Sequence, residues 1–261
     1  MTEAAPEVQP HDRPQSTDAD TVELLGLVAH LQHVAFLRLA EDARVAPSTE
    51  QQLELSRLAA AAVTRRDRVL ARVAELGGDP AGCLGAYARL LEDFDSRTQP
   101  STWWERLLRS YVADGVSDDF CRIAAAAVDD RSRVLLLEVL DDAEHADLAI
   151  AELETAGAHD EVLVSRLALW GRRLVGEALG VVQQALSGHP GLARLVTRRG
   201  EEQRAAEAAA RATEPAPDGT APEVVQVDTG TDAVDPAAPA KLFGELTAEH
   251  TRRMSRLGLT A

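Results

Sequence analysis

The chain has 261 residues, 45 % of them hydrophobic but only 3 % aromatic, and a formal net charge of -16. That length is enough to bury one sizeable core, which Leu, Val and Ala must fill. The acidic balance is the opposite of the basic surface through which a protein exchanges counterions with RNA.

Met1 to Asp20 carries five acids and one arginine, and residues 213–240 carry six acids and no base, so these segments hold -4 and -6 of the charge. The remaining -6 belongs to a body dominated by Ala, Leu, Arg and Glu, all good helix formers, with no sustained apolar–polar alternation. The expected fold class is all-α. Residues 1–20 read as a disordered acidic tail. Along the chain no apolar stretch approaches the roughly 20 residues a bilayer span needs, and the N-terminus has no apolar leader. Neither membrane nor secretion is expected, and the chain is placed in the cytoplasm. Cys83 and Cys121 lack CxxC spacing and read there as free thiols.

A first helix is expected from Thr21 to Arg44, with Asp20 or Thr21 as N-cap and apolar residues nearly all round it, as befits the interior of a bundle. A second starts near Ser48 and stops at Gly77-Gly78. Asp79-Pro80 opens a shorter stretch through Phe94, where the long crossover of a bundle fits. Ser101-Thr102 cap a third long helix through Trp103, Trp104 and Tyr111 towards Ala127, bent at Gly115. The fourth follows Asp129-Asp130 and runs through the stripe Val139, Ala143, Ala146, Ile150 and Leu153. A fifth spans Asp160 to Leu186, with Trp170 on its apolar stripe. Residues 189–212 read as a polar helical extension with too few large apolar residues for a core. Residues 213–240 read as a disordered acidic linker. Residues 241–261 form an amphipathic helix that docks back through Leu242, Phe243, Leu246 and Met254. Arginine pairs such as Arg65-Arg66, Arg172-Arg173, Arg198-Arg199 and Arg252-Arg253 read as solvated helix faces.

Within the fourth helix, Asp142-Ala143-Glu144-His145 places a carboxylate and an imidazole at i and i+3, on one face. This is half of a carboxylate-bridged di-metal site, whose full form takes a Glu from each of two helices and Glu-x-x-His from each of two others. His30 and His33, also at i and i+3, are a second possible corner, with Glu41 or Asp142 as partner. The acids Asp114, Asp118 and Asp119 read as a helix-end cluster rather than a catalytic set. Glu177 is expected to pair within its own helix, with Arg172 or Arg173. No P-loop, GxGxxG after a strand, or Ser-His-Asp arrangement is present.

Five segments, "AFLRLAEDA" (Ala35 to Ala43), "STWWERLLRSYVADGVSDDF" (Ser101 to Phe120), "LEVLDDAEHAD" (Leu137 to Asp147), "SRLALWGRRLVGEAL" (Ser165 to Leu179) and "EHTRRMSRLGL" (Glu249 to Leu259), carry a likeness. In order, they resemble the ferritin-like proteins related to MiaE, the bacterial tRNA methylthio-isopentenyl-adenosine hydroxylase. The likeness covers about Thr21 to Gly188 and the last helix. It implies a ferritin-like four-helix bundle over residues 21–188, additional C-terminal helices, and a non-haem di-iron site inside the bundle.

Carried over position by position, the first-helix Glu falls on Gln32, and Glu-x-x-His of the second helix falls on Ala62 and Arg65. The third helix offers Asp114, Asp118 or Asp119. On the fourth, Asp142 stands for Glu and His145 matches. Arg65 has no lone pair to offer and stays protonated, so it replaces a ligand with a like charge. The expectation is that Arg65 takes over the metal's charge by pairing with Asp142 or Asp114. The expectation is then no cofactor and a scaffold or interaction role, with a homodimer as the candidate assembly. The alternative is an active di-iron or other-metal hydroxylase of tRNA or another substrate, using displaced ligands such as His33, Asp114 and His145.

Overall fold

The computed structural model describes residues 12–141, 143–213 and 237–259, and every described regular element is a helix. The elements are α1 (Asp12–Val45), α2 (Thr49–Glu75), α3 (Pro80–Gly85), α4 (Glu92–Arg97), α5 (Trp103–Ala125), α6 (Asp130–Val139), α7 (Ala143–Gly157), α8 (Glu161–Gly188), α9 (Pro190–Thr213) and α10 (Ala237–Arg256).

Local signals set most of these boundaries. Ser48 closes a capping box before α2: its hydroxyl accepts from Gln51 N at 3.2 Å while Gln51 Oε1 accepts from Ser48 N at 3.1 Å. Such a short connection forces α1 and α2 into an antiparallel hairpin. Gly77, at φ 78°, ends α2 in the left-handed region that favours glycine. Asp79, Thr102, Asp129 and Asp160 each accept a backbone N–H at the start of α3, α5, α6 and α8.

The hairpin α1–α2, α5, and the end-to-end pair α6–α7 form a four-helix bundle, with α3 and α4 in the crossover. Leu24, Leu25, Val28, Val69, Leu108, Val112, Leu136 and Val139 are buried in its core. A smaller cluster, Leu39, Ala43, Leu55 and Leu58, fills the far end of the hairpin beneath Phe36 and Trp103. α8, α9 and α10 pack around α5, where Leu167, Leu174, Leu192, Leu195, Leu246 and Met254 are buried.

Several expectations are corrected. α1 begins at Asp12 rather than Thr21, and Asp20 is no N-cap. Its carboxylate is fully buried and pairs with Arg194, and with Arg198 at 3.0 Å, tying α1 to α9. Nor is α9 merely polar: Leu192 and Leu195 are 0 % exposed, because its first turns lie in the core and only the rest of it is Ala-, Arg- and Glu-rich. Asp18–Val45 is in fact long and apolar enough to cross a membrane by length and composition. Half of its most apolar 18-residue window is buried inside the bundle, as fits a core helix that is apolar nearly all round.

The fourth helix is not continuous. It stops at Val139 and resumes at Ala143, and Asp142 lies outside the described residues. At the break Arg122 donates to the Leu140 carbonyl, satisfying an acceptor the helix leaves open. Ala143, expected on the core stripe, is exposed; His145, Ala149 and Leu153 are the buried residues of α7.

α5 runs on through Gly115. The glycine makes room rather than a bend: a Cβ there would overlap the Arg253 guanidinium, with Nη2 only 2.8 Å away. At Gly171 of α8 a Cβ would overlap the end of Met254, with Sδ at 3.0 Å. Both glycines seat α10, whose Leu242, Leu246 and Met254 are buried, with Phe243 half-buried beside them.

Candidate functional site

A cavity of about 230 Å³ opens between α1, α5, α7 and α10. Its wall includes Gln32, Asp114, Asp118, Asp119, His145 and Arg253. The bundle therefore brings together the first-helix ligand position, the acids of α5 and the matched histidine of α7. Ala62 and Arg65 lie on α2, and Asp142 is outside the described residues.

Gln32 is buried on α1, 6 % exposed, and its Oε1 accepts Nε of Arg65 at 2.8 Å. Two positions that the MiaE likeness assigns to metal ligands are thus hydrogen-bonded to one another across the hairpin. The third, Ala62, is 0 % exposed and packs in the interior. For the expected carboxylate partners of Arg65, Asp142 is not described, and Asp114 accepts Nη1 of Arg38 at 3.5 Å. His33 Nδ1 lies 3.2 Å from Nη1 of Arg66. The pair Arg65-Arg66 therefore turns towards α1, not to solvent.

Asp119 accepts Nη2 of Arg253 at 2.6 Å, and Arg122 lies 3.5 Å from its other oxygen. Arg253 is only 9 % exposed, and its carbonyl accepts the Tyr111 hydroxyl at 3.3 Å. Sequence reading missed this cation because an Arg-Arg pair on a helix has the same pattern whether it meets water or a carboxylate. Burial drives the Cys121 thiol well above its ordinary range, with Asp118 adding to the rise, so this buried cysteine stays protonated. His250, on α10 beside Arg253, is 3 % exposed and held down to about 4, by burial first and Arg253 second.

His30 and His33 do not join His145. They line a separate, larger cavity of about 660 Å³ on the other side of α1. Its wall is dominated by an ion-pair network: Arg38 lies 2.6 Å from Asp95, Arg109 pairs with the same oxygen, and both guanidinia stack on Phe94 at 5.7 and 5.5 Å. Arg106 lies 2.8 Å from Asp42 and 3.6 Å from Glu41, so Glu41 is committed to a cation rather than to His30. Burial, then His33 and Arg38, lower His30 to about 4. Glu177 is reached from outside its helix, by Arg97 at 3.4 Å, while Arg173 donates to the Arg97 carbonyl at 2.6 Å and stacks on Trp170.

The donor set does not fit a di-iron centre. Among the described residues no three His, Cys, Asp or Glu side chains are grouped to hold a metal ion. Arg65 stands at one of the positions that the likeness assigns to a metal ligand, and Arg253 enters from α10 to hold Asp119, so a dication beside them would meet like charge in a low-dielectric interior.

This arrangement, four bundle helices with a crossover between the second and third and polar side chains turned inward, is that of a ferritin-like protein. A family model described as a ferritin-like domain of actinomycetes matches residues 15–199. The chain belongs to this ferritin-like family. No curated protein matches the sequence.

Proposed function

We propose that this chain is a ferritin-like scaffold, related to the MiaE-type tRNA hydroxylases, whose metal site has become polar packing and which acts by interaction rather than by oxygen chemistry. The observation that carries this reading is the 2.8 Å hydrogen bond from Arg65 to Gln32. The amide oxygen accepts a guanidinium N–H, so the two changes are complementary: a cation on α2 supplies charge that a metal would otherwise bring. The deciding measurement is elemental analysis of protein purified with iron supplied, read together with oxo-bridged iron absorbance in the near ultraviolet. Substoichiometric iron is expected; close to two irons per chain would overturn the proposal.

A second reading, an active hydroxylase with displaced ligands, draws on the acids of α5 and His145 sharing one cavity wall. His33 cannot serve it, since its ring faces Arg66 by the other cavity. The same metal analysis separates the readings. The acidic balance disfavours tRNA in both, and no salt-sensitive tRNA binding is expected at physiological ionic strength. Self-association is the first interaction to test: Val162 and Leu169, two turns apart on α8, are 70 % and 64 % exposed. Sedimentation of wild type against a Leu169→Glu variant measures it.

A further inference from the structure

α10 is attached to the bundle by apolar anchors set among groups that burial penalises. Leu242, Leu246 and Met254 are at most 2 % exposed. Beside them Arg253 is 9 % exposed with Nη1 buried and unaccepted, and His250 is 3 % exposed with neither ring nitrogen hydrogen-bonded. Buried polar atoms left without partners oppose docking, as does ordering the helix itself. These costs offset part of the apolar gain, so α10 is held less firmly than a helix seated by apolar contacts alone.

The seat is also specific. Gly115 and Gly171 are empty where Arg253 and Met254 enter, Asp119 receives the guanidinium, and Tyr111 binds the Arg253 carbonyl. Glu249, Arg253 and Arg256 of α10 complete the wall of the 230 Å³ cavity.

We propose that α10 is a releasable cover of this cavity, an intramolecular ligand whose Arg253 neutralises Asp119 and whose departure opens the face carrying Asp114, Asp118, Asp119 and His145. The proposal rests on the reading of this cavity as the functional site, but not on whether metal binds there. The vacated seat has the shape and charge for a guanidinium, so the competitor for it is a cationic group rather than an anion or an apolar tail.

Native-state hydrogen exchange on the full chain tests it. Amides of α10 are expected to exchange at least about 100-fold faster than those of Leu107 to Ala113 in α5, through an opening smaller than global unfolding. Arg253→Ala is expected to speed α10 exchange a further tenfold or more, with α5 unchanged. Equal protection of α10 and α5 in the wild type would overturn the proposal, as would an Arg253→Ala chain in which both accelerate together. Should that variant not fold, the wild-type comparison decides alone. Glu245→Gln, which removes the 3.0 Å pair with Arg199 of α9 away from the cavity, gives a milder second test in the same direction. A chain that bound iron yet released α10 would sink the scaffold reading and leave this one standing.

Discussion

Arg65 on α2 and Gln32 on α1 are joined by a 2.8 Å hydrogen bond, at two positions where the MiaE likeness expects a histidine and a glutamate. The bond is local to the hairpin and is made by a charged donor, the stronger sort. Gln32→Ala, Arg65→Ala and the double variant should therefore show a coupling of about 1.5 kcal/mol in urea unfolding. Strictly additive effects would mean that the pair contributes nothing to stability.

Restoring the ligand types asks the opposite question. Gln32→Glu with Ala62→Glu and Arg65→His rebuilds the carboxylates and imidazole that the likeness expects, beside His145. With Arg253 still on Asp119, the triple variant is expected to bind less than one iron per chain; adding Arg253→Ala should raise the iron content. Equal iron in both variants would show that α10 does not control the site.

The two glycines beneath α10 should respond differently to alanine. Alanine gains about 1 kcal/mol over glycine in helix propensity. At Gly171 the obstacle is the flexible end of Met254, which can swing, so Gly171→Ala should be nearly neutral. At Gly115 the added methyl meets Nε, Cζ and Nη2 of a guanidinium pinned by Asp119, and Gly115→Ala should cost about 1–3 kcal/mol net of that gain. Thermal melts of the two variants, side by side, measure the contrast.

Stability should fall on mild acidification. His30 and His250 are held near 4 in the folded chain by burial, against 6.5 when free. Between those values the unfolded chain binds more protons, so unfolding free energy rises with pH and is lost as pH drops from about 6.5 towards 4. Each histidine contributes on the order of 3 kcal/mol to that loss at 1.36 kcal/mol per unit. His250→Leu should flatten its share of the slope in urea titrations at pH 7 and pH 5; an unchanged slope would show that His250 is not buried neutral.

The buried carboxylate of Asp20 depends on α9. Arg194→Ala with Arg198→Ala leaves a carboxylate that is 0 % exposed without its cations, and should cost about 3–5 kcal/mol. Asp20→Asn in that background should recover part of it, because an amide buries more cheaply than an unpaired charge. Chemical denaturation of the two variants is the check.

The sequence by itself determined the all-helical class, several helix starts and which residue types stand at the positions the likeness assigns to ligands. Ser48-x-x-Gln51, Thr102 and Asp160 are legible because a cap satisfies N–H groups within three residues of itself. Gln32, Ala62 and Arg65 are legible because no fold can give a guanidinium a lone pair. Only the tertiary structure decided what surrounds them. The break at Leu140 is answered by Arg122, Asp20 by Arg194, and Asp119 by Arg253, 134 residues away. Helical periodicity shows that an arginine lies on a polar face; whether that face meets water or a distant carboxylate depends on packing between helices, which no local spacing encodes. For the same reason Gly115 reads as a bend in sequence and proves to be the seat of a side chain from the far end of the chain.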